Sequence, residues 1–309
     1  MSNVIANLRY LVPGIERPVY VASEGGANAA LSIDARFEER EVSIRDARQL
    51  DRPASLDRQG FSLLPQATRV SDFYVIESVR ESYEAEIIEL VLTATGAAAA
   101  QVFDHTLRSD SSHIRGRRST REPATVIHND YTDASAAQRL RDILPPNEAE
   151  QRLRRRFAIV NVWRTVGNPV LNSPLACCDA ATIAPGDLVT SERRARERTG
   201  ELQLVTWNPA HRWYYYPGMN RDEALLIKTF DSDLSGPARR SIHSAFSNPL
   251  APPDAPARVR NACLVLVMNG QSKHTDRAPA DQLRTFRRVP GGVAGVGARD
   301  GRAGGAGAG

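Results

Sequence analysis

Lysine is nearly absent from this chain: two lysines stand against 38 arginines in 309 residues. With 36 acidic residues the formal charge is only +4. A nucleic-acid binder gathers its cations on one face with aromatics between them. Here acidic side chains are spread among the basic ones, and the arginine clusters at 115–121, 152–156 and 193–198 read as solvated surface. Nucleic acid is not an expected partner. Cysteine is scarce as well. Cys177, Cys178 and Cys263 have no spacing that suggests a disulfide framework or a zinc knuckle, and a reducing, cytoplasmic location is the simpler expectation. No apolar run approaches the roughly 18 residues a membrane helix needs. The opening MSNVIANLRYLVPGI is interrupted by Arg9 and Pro13 before it could serve as a signal-peptide core. The expectation is a soluble chain with no membrane partner.

What the sequence does supply is apolar material, 41% of the chain, enough to bury one large core. We read residues 1–290 as a single domain in which strands and helices of about 1–120 pack on a β core. The Gly/Ala-rich stretch 291–309 has little to pack and is expected to be disordered. Strands are expected within 18–48. Tyr83, Ile87 and Val91 recur every four residues and predict a helix over 78–98, stopped by Gly96. AAAAQVFDHTLR (97–108) predicts a strand, and the polar, Arg-rich 109–122 an exposed loop. A helical region over 133–155 should be capped by Asp133, broken at Pro145 and Pro146, and restarted by a capping box of Asn147 with Glu150. From Phe157 onward the texture changes to short strands between turns: FAIVNVWRTV, PLACCDAATI, ELQLVTWN, RWYYYP, EALLIKTF, RSIHSAF and RVRNACLVLVMN. Such spacing makes the chain mainly β with flanking helices, a barrel or a sandwich.

The chemistry concentrates in VIHND, where His128 and Asp130 close an apolar run. Residues two apart on an extended chain share a face, so this pair points together while Asn129 points away. His243, in the predicted strand RSIHSAF, is the natural third member. Two histidines and a carboxylate on one side of a metal form the facial triad of non-haem iron(II) oxygenases, which leaves positions open for other ligands. His105 and His211 compete poorly: the first sits beside Asp104 with diverging side chains, the second in a turn before an aromatic run. If 2-oxoglutarate is the cosubstrate, its distal carboxylate needs a cation, and arginine binds a carboxylate bidentately without ever losing its proton. Arg258 and Arg260, opening the strand after His243, are rivals for that place. Trp163, Arg164, Trp213 and Tyr215 are candidate substrate-pocket walls, the aromatics being equally suited to barrel core. Arg108 is a candidate contact for an acidic substrate.

These residues sit in longer blocks: VIHNDYT (126–132), NVWRTVGNPVLNSPLACCDA (161–180), TGELQLVTWNPAHRWYYYPGMNRDEALLIKTFDS (199–232) and HSAFSNPLAPPDAPAR (243–258). Through them the chain, up to about residue 270, resembles the fungal and bacterial hydroxylase/desaturase family that includes the fungal gibberellin desaturase. The resemblance implies a double-stranded β-helix (jelly-roll, cupin-like) core. It also implies an oxidoreductase that uses Fe(II), 2-oxoglutarate and O2 to hydroxylate or desaturate a small molecule in secondary-metabolite biosynthesis. It carries His128, Asp130 and His243 over as catalytic iron ligands and Arg258 as the grip on the cosubstrate. In the family this arginine usually begins an Arg-x-Ser pair. Here the third position is Arg260, and RNACLV stands where a further acidic residue is usual. Two other readings stay open, a non-catalytic β-barrel binding or accessory protein and a metal-dependent hydrolase on the same three residues, although no HExxH is present for the latter. The partner expected is a small-molecule substrate, with a homodimer left open.

Overall fold

Alternation builds the first strand. The computed structural model describes residues 3–269 except Leu31, Ser119, Asn168, Glu197, Pro237, Asp254, Ala257 and Arg258. In it Val4, Ala6, Leu8 and Tyr10 turn inward from β1 (Val4–Leu11), and the residues between them face out, the period-two signature of a strand with one buried face. Among the described residues the further strands are β2 (Val19–Val21), β3 (Ser32–Asp34), β4 (Phe37–Asp46), β5 (Phe61–Pro65), β6 (Ala99–Ser109), β7 (His128–Asn129), β8 (Phe157–Val166), β9 (Leu175–Cys178), β10 (Leu188–Ala195), β11 (Arg198–Val205), β12 (Trp213–Tyr215), β13 (Glu223–Asp231), β14 (His243–Ala245) and β15 (Val259–Met268). The helices are α1 (Ile76–Thr95), α2 (Ser112–Arg118), α3 (Asp133–Ile143) and α4 (Pro146–Leu153).

Ten strands form the larger sheet, in the order β1-β4-β12-β9-β14-β7-β11-β10-β2-β3, and five the smaller, β5-β13-β8-β15-β6. Short strands shared between two sheets, mostly antiparallel, make the expected mainly β double-stranded β-helix with flanking helices. One face of the smaller sheet is closed by α1. Tyr83, Ile87 and Val91 are fully buried and pack with Val160, Val162, Leu226 and Val265, each such side chain contributing roughly 1.5–3 kcal/mol. The helix stops at Gly96, whose φ of 64° is left-handed and whose N–H returns to the Leu92 carbonyl, a conformation that costs glycine little. The other face of this sheet looks into a cavity. Helices α3 and α4 seal one end of the fold, where Ala136, Leu140 and Ala149 meet Phe157, Ile159, Phe230 and Leu266.

The structure departs from the sequence reading in several places. The 109–122 loop contains the short helix α2, which buries none of its side chains. Asp133 is the first residue of α3 rather than its cap. Thr132 caps the helix, accepting from the Ser135 N–H (3.0 Å) while its own N–H goes to the Ser135 hydroxyl (2.9 Å). The break at Pro145 and Pro146 is present, but Asn147 lies inside α4. Pro145 occupies the cap position and Pro146 opens the helix, where its missing N–H has no partner to lose. Strands β1, β5 and β10 were not expected. The stretch 291–309 lies outside the described residues, and no described helix is long and apolar enough to cross a membrane.

Candidate metal centre

β7 and β14 are two and three residues long, yet they carry both histidines. They pair antiparallel with His243 directly opposite His128, a register in which side chains on the shared face are neighbours. The rings tilt by 52° with centroids 4.5 Å apart. Asp130, two residues beyond His128, turns to the same side. Its carboxylate oxygens lie 3.7 Å from His128 Nε2 and 3.9 Å from His243 Nε2. One ligand atom from each of the three falls within 4.8 Å of the others. Asn129 points away, donating to the Tyr131 carbonyl (2.7 Å) and Gln203 Oε1 (3.0 Å).

The tautomers follow from the hydrogen bonds. His128 Nδ1 lies 2.8 Å from the Val126 carbonyl and His243 Nδ1 3.2 Å from the Ser241 carbonyl. A carbonyl can only accept, so both Nδ1 atoms carry the proton and both Nε2 lone pairs face Asp130. Burial lowers the pKa of His128, and the neighbouring His243 lowers it further, against the opposing pull of Asp130. The ring is therefore held neutral, the form that ligates a metal. Asn161 Nδ2, from β8, reaches Asp130 Oδ2 at 3.5 Å. Two imidazoles and a carboxylate converging from one side, with open cavity beyond, fit ferrous iron.

That cavity has a volume of about 410 Å³ and lies between the sheets, lined by residues of β6, β8 and β15 on one side and of β2, β10, β11 and β14 on the other. It brings together His128, Asp130, His243, Trp163, Arg108 and Arg260 among the residues singled out from the sequence. Arg260 stacks its guanidinium 5.6 Å from the centroid of the Trp163 ring. Arg108 donates to the Glu122 carbonyl (2.8 Å) at the wall. Arg258 lies outside the described residues.

Three expected pocket residues are elsewhere. Arg164, one residue on from Trp163, projects from the opposite face of β8. There it is fully buried and donates to the carbonyls of Gln66 (3.0 Å) and Arg221 (2.6 Å). Trp213 is core, with its Nε1–H donated to the Tyr10 hydroxyl (2.8 Å). Tyr215 packs edge-on against Phe246 in the same hydrophobic cluster. His211 and His105 are structural, held by Asp187 (3.0 Å) and Glu84 (3.0 Å). Sequence reasoning missed Asn161, Tyr20, Arg121, Arg193 and Arg198, all of which line the cavity. Asn161 had a signal, since it shares a face of β8 with Trp163 by period two. Arg193 and Arg198 carry no such signal, because they fall in an arginine cluster that reads as solvated surface, at the end of β10 and the start of β11.

Known proteins with the same features are identifiable. A family model described as "Oxidoreductase/YMDC permease-like domain" matches residues 8–266. The hydroxylase/desaturase CTB9 of Cercospora beticola is 33% identical over 69% of this chain and 72% of its own length. The Fe(II)/2-oxoglutarate-dependent dioxygenase nvfI of Aspergillus novofumigatus is 32% identical over 74% and 84%. The chain belongs to this hydroxylase/desaturase family of iron(II)/2-oxoglutarate-dependent oxygenases. The solved structure of the iron and alpha-ketoglutarate-dependent endoperoxidase NvfI superimposes with a TM-score of 0.76 at 27% identity, over 88% of this chain and 99% of that one. Family membership favours redox chemistry over the non-catalytic barrel and the hydrolase, since each of these relatives is named for an oxidation.

Proposed function

We propose that this family member hydroxylates or desaturates a small organic molecule in secondary-metabolite biosynthesis, with His128, Asp130 and His243 as its iron ligands. The observation that carries the assignment is the convergence of two Nε2 lone pairs and one carboxylate within 4.8 Å at the edge of a 410 Å³ cavity. Bound there, ferrous iron with 2-oxoglutarate and O2 supplies the oxidising power to take hydrogen from a C–H bond. The protein's part is positional. The Val126 and Ser241 carbonyls fix the two rings, and Asn161 steadies the Asp130 carboxylate. Trp163 and Leu175 line the cavity near the metal ligands with apolar surface, which keeps water from the reacting carbon.

For the cosubstrate carboxylate we propose an arginine of β15 or the residues just before it. Arg260 is on the cavity wall, and Arg258 would share its face by period two. We take the substrate as the chain's partner rather than nucleic acid, and place the protein in the cytoplasm, a reading supported by three buried, free thiols. A homodimer is a further proposal, tested by the mass of the purified chain in solution.

Anaerobic addition of ferrous iron and 2-oxoglutarate should produce a visible metal-to-ligand charge-transfer band, and His243→Ala should abolish it. A metal-loaded wild-type protein with no such band would overturn the assignment. Whichever of Arg258→Ala and Arg260→Ala removes the cosubstrate grip should raise the 2-oxoglutarate needed for half-formation of the band about a hundredfold.

A further inference from the structure

Across the cavity from β15, the larger sheet presents a second set of cations. Arg193 lies on β10 with Tyr20 of β2 beside it on one side and Gly200 of β11 on the other, a direct three-strand row. All three residues line the cavity. A side chain at Gly200 would meet nothing within 4 Å, so the space over Arg193 is open. Among the described residues, neither the Arg193 guanidinium nor that of nearby Arg121 makes a side-chain hydrogen bond or ion pair. Burial lowers the pKa of Arg193, and Arg121 and Arg198 lower it further, while Tyr20 and Asp104 act the other way.

The cavity also holds carboxylates, and most have partners. Glu201 binds Arg17 (2.8 Å) and the Thr132 hydroxyl (2.7 Å). Glu122 accepts from the Ser23 hydroxyl (2.6 Å). Asp142 lies 3.6 Å from Arg198 and accepts from Gln138 (2.8 Å). Asp130 belongs to the metal centre. Asp104 is the cavity carboxylate whose charge acts most on Arg193. Half-buried guanidinium groups without a bonded anion are costly unless something completes them. A carboxylate does so with two parallel N–H donors, and a phenol can add a third.

We propose that Arg193 and Tyr20, with Arg121 lining the same cavity from beside β6, form a recognition subsite for a substrate that carries a carboxylate. This rests on the function proposed above and adds the substrate's chemical class. Strand spacing and rise put the Arg193 backbone roughly 12 Å from that of Asp130. A molecule anchored by its acid at Arg193 therefore extends toward the metal ligands, and the β15 arginine serves the cosubstrate separately.

The test uses the full chain, loaded anaerobically with ferrous iron and 2-oxoglutarate, titrated with 2-naphthoate and, in parallel, with methyl 2-naphthoate. Binding is read by perturbation of the charge-transfer band and by calorimetry. The acid is expected to bind at least tenfold more tightly than the ester. Arg193→Gln should erase that preference and Tyr20→Phe should reduce it, with the 2-oxoglutarate midpoint of the band shifting less than twofold. Gly200→Val, which fills the open space without removing charge and sits where φ imposes no strain, should likewise weaken the acid and guards against misfolding of the arginine variant. Equal binding of the two probes, no binding of either, or an Arg193→Gln variant whose 2-oxoglutarate requirement rises with its loss of acid binding would each overturn the subsite. A missing band in the wild type, before any probe is added, would instead strike the oxygenase reading itself.

Discussion

Single side chains decide which tryptophan matters for what. Trp163, on the long strand β8, faces the cavity, and Trp213, on the three-residue β12, faces the core. Trp213→Phe loses the hydrogen bond to Tyr10 and part of a packed ring, so it should cost about 1–3 kcal/mol. The charge-transfer titration should be unaffected. Trp163→Phe should do the reverse, weakening substrate binding with a smaller change in melting temperature. Asp231 offers a test against pH. Burial acts to raise its carboxyl pKa, but hydrogen bonding from Arg156 and the charge of Lys228 more than offset this, and it lies below its ordinary value. A depressed pKa stabilises the fold above the unfolded-state value near 4, and the contribution is lost as pH falls through the folded value. Asp231→Asn should therefore destabilise the protein by about 3 kcal/mol near neutrality, with the gap to wild type closing as acid denaturation is approached. The legibility of residues in the sequence divides along the same line. His128 and Asp130 were readable because period two fixes their relation locally. Arg164, Trp213 and Tyr215 were misplaced because alternation says that neighbours face apart, not which face looks into the cavity. Arg193 was hidden by its own charge.

Among elements, the pairing of β7 with β14 has the most influence, since it sets the metal centre and nothing in either strand's length protects it. A one-residue slip turns every side chain of a strand to the other face. Inserting one alanine between Ile242 and His243 should abolish iron binding while the far-ultraviolet circular dichroism stays that of a β protein. By contrast, the α1 stripe acts on stability alone. Ile87→Ala should cost about 3 kcal/mol, measurable by urea unfolding, with the band intact. The stripe was legible because its four-residue recurrence is long and regular. Strands β1, β5 and β10 are less legible: β1 alternates over only eight residues, and β10 carries polar residues on both faces, with Leu188 and Val189 on core clusters and Arg193 on the polar cavity.

For the whole molecule, the jelly-roll is legible from the density of short strands, while the division into ten and five strands is not, because strand order depends on pairings as distant as that of Val19 with Glu192 and as local as that of Ala195 with Arg198. The three cysteines report on its integrity. Each is buried and free, and burial raises the pKa of all of them, so the native chain should show no fast reaction with a thiol reagent and three equivalents after denaturation in guanidinium. One rapidly labelled thiol in the native state would contradict the packing described. The anchoring of both histidine rings has a wider bearing. Each is tied to a carbonyl two residues back in its own chain segment, so its aim depends on main-chain shape and owes little to the identity of surrounding side chains. Lineages built on this scaffold could thus exchange nearly the whole lining of the chamber, and with it the molecules they accept, without disturbing how the two imidazoles are aimed.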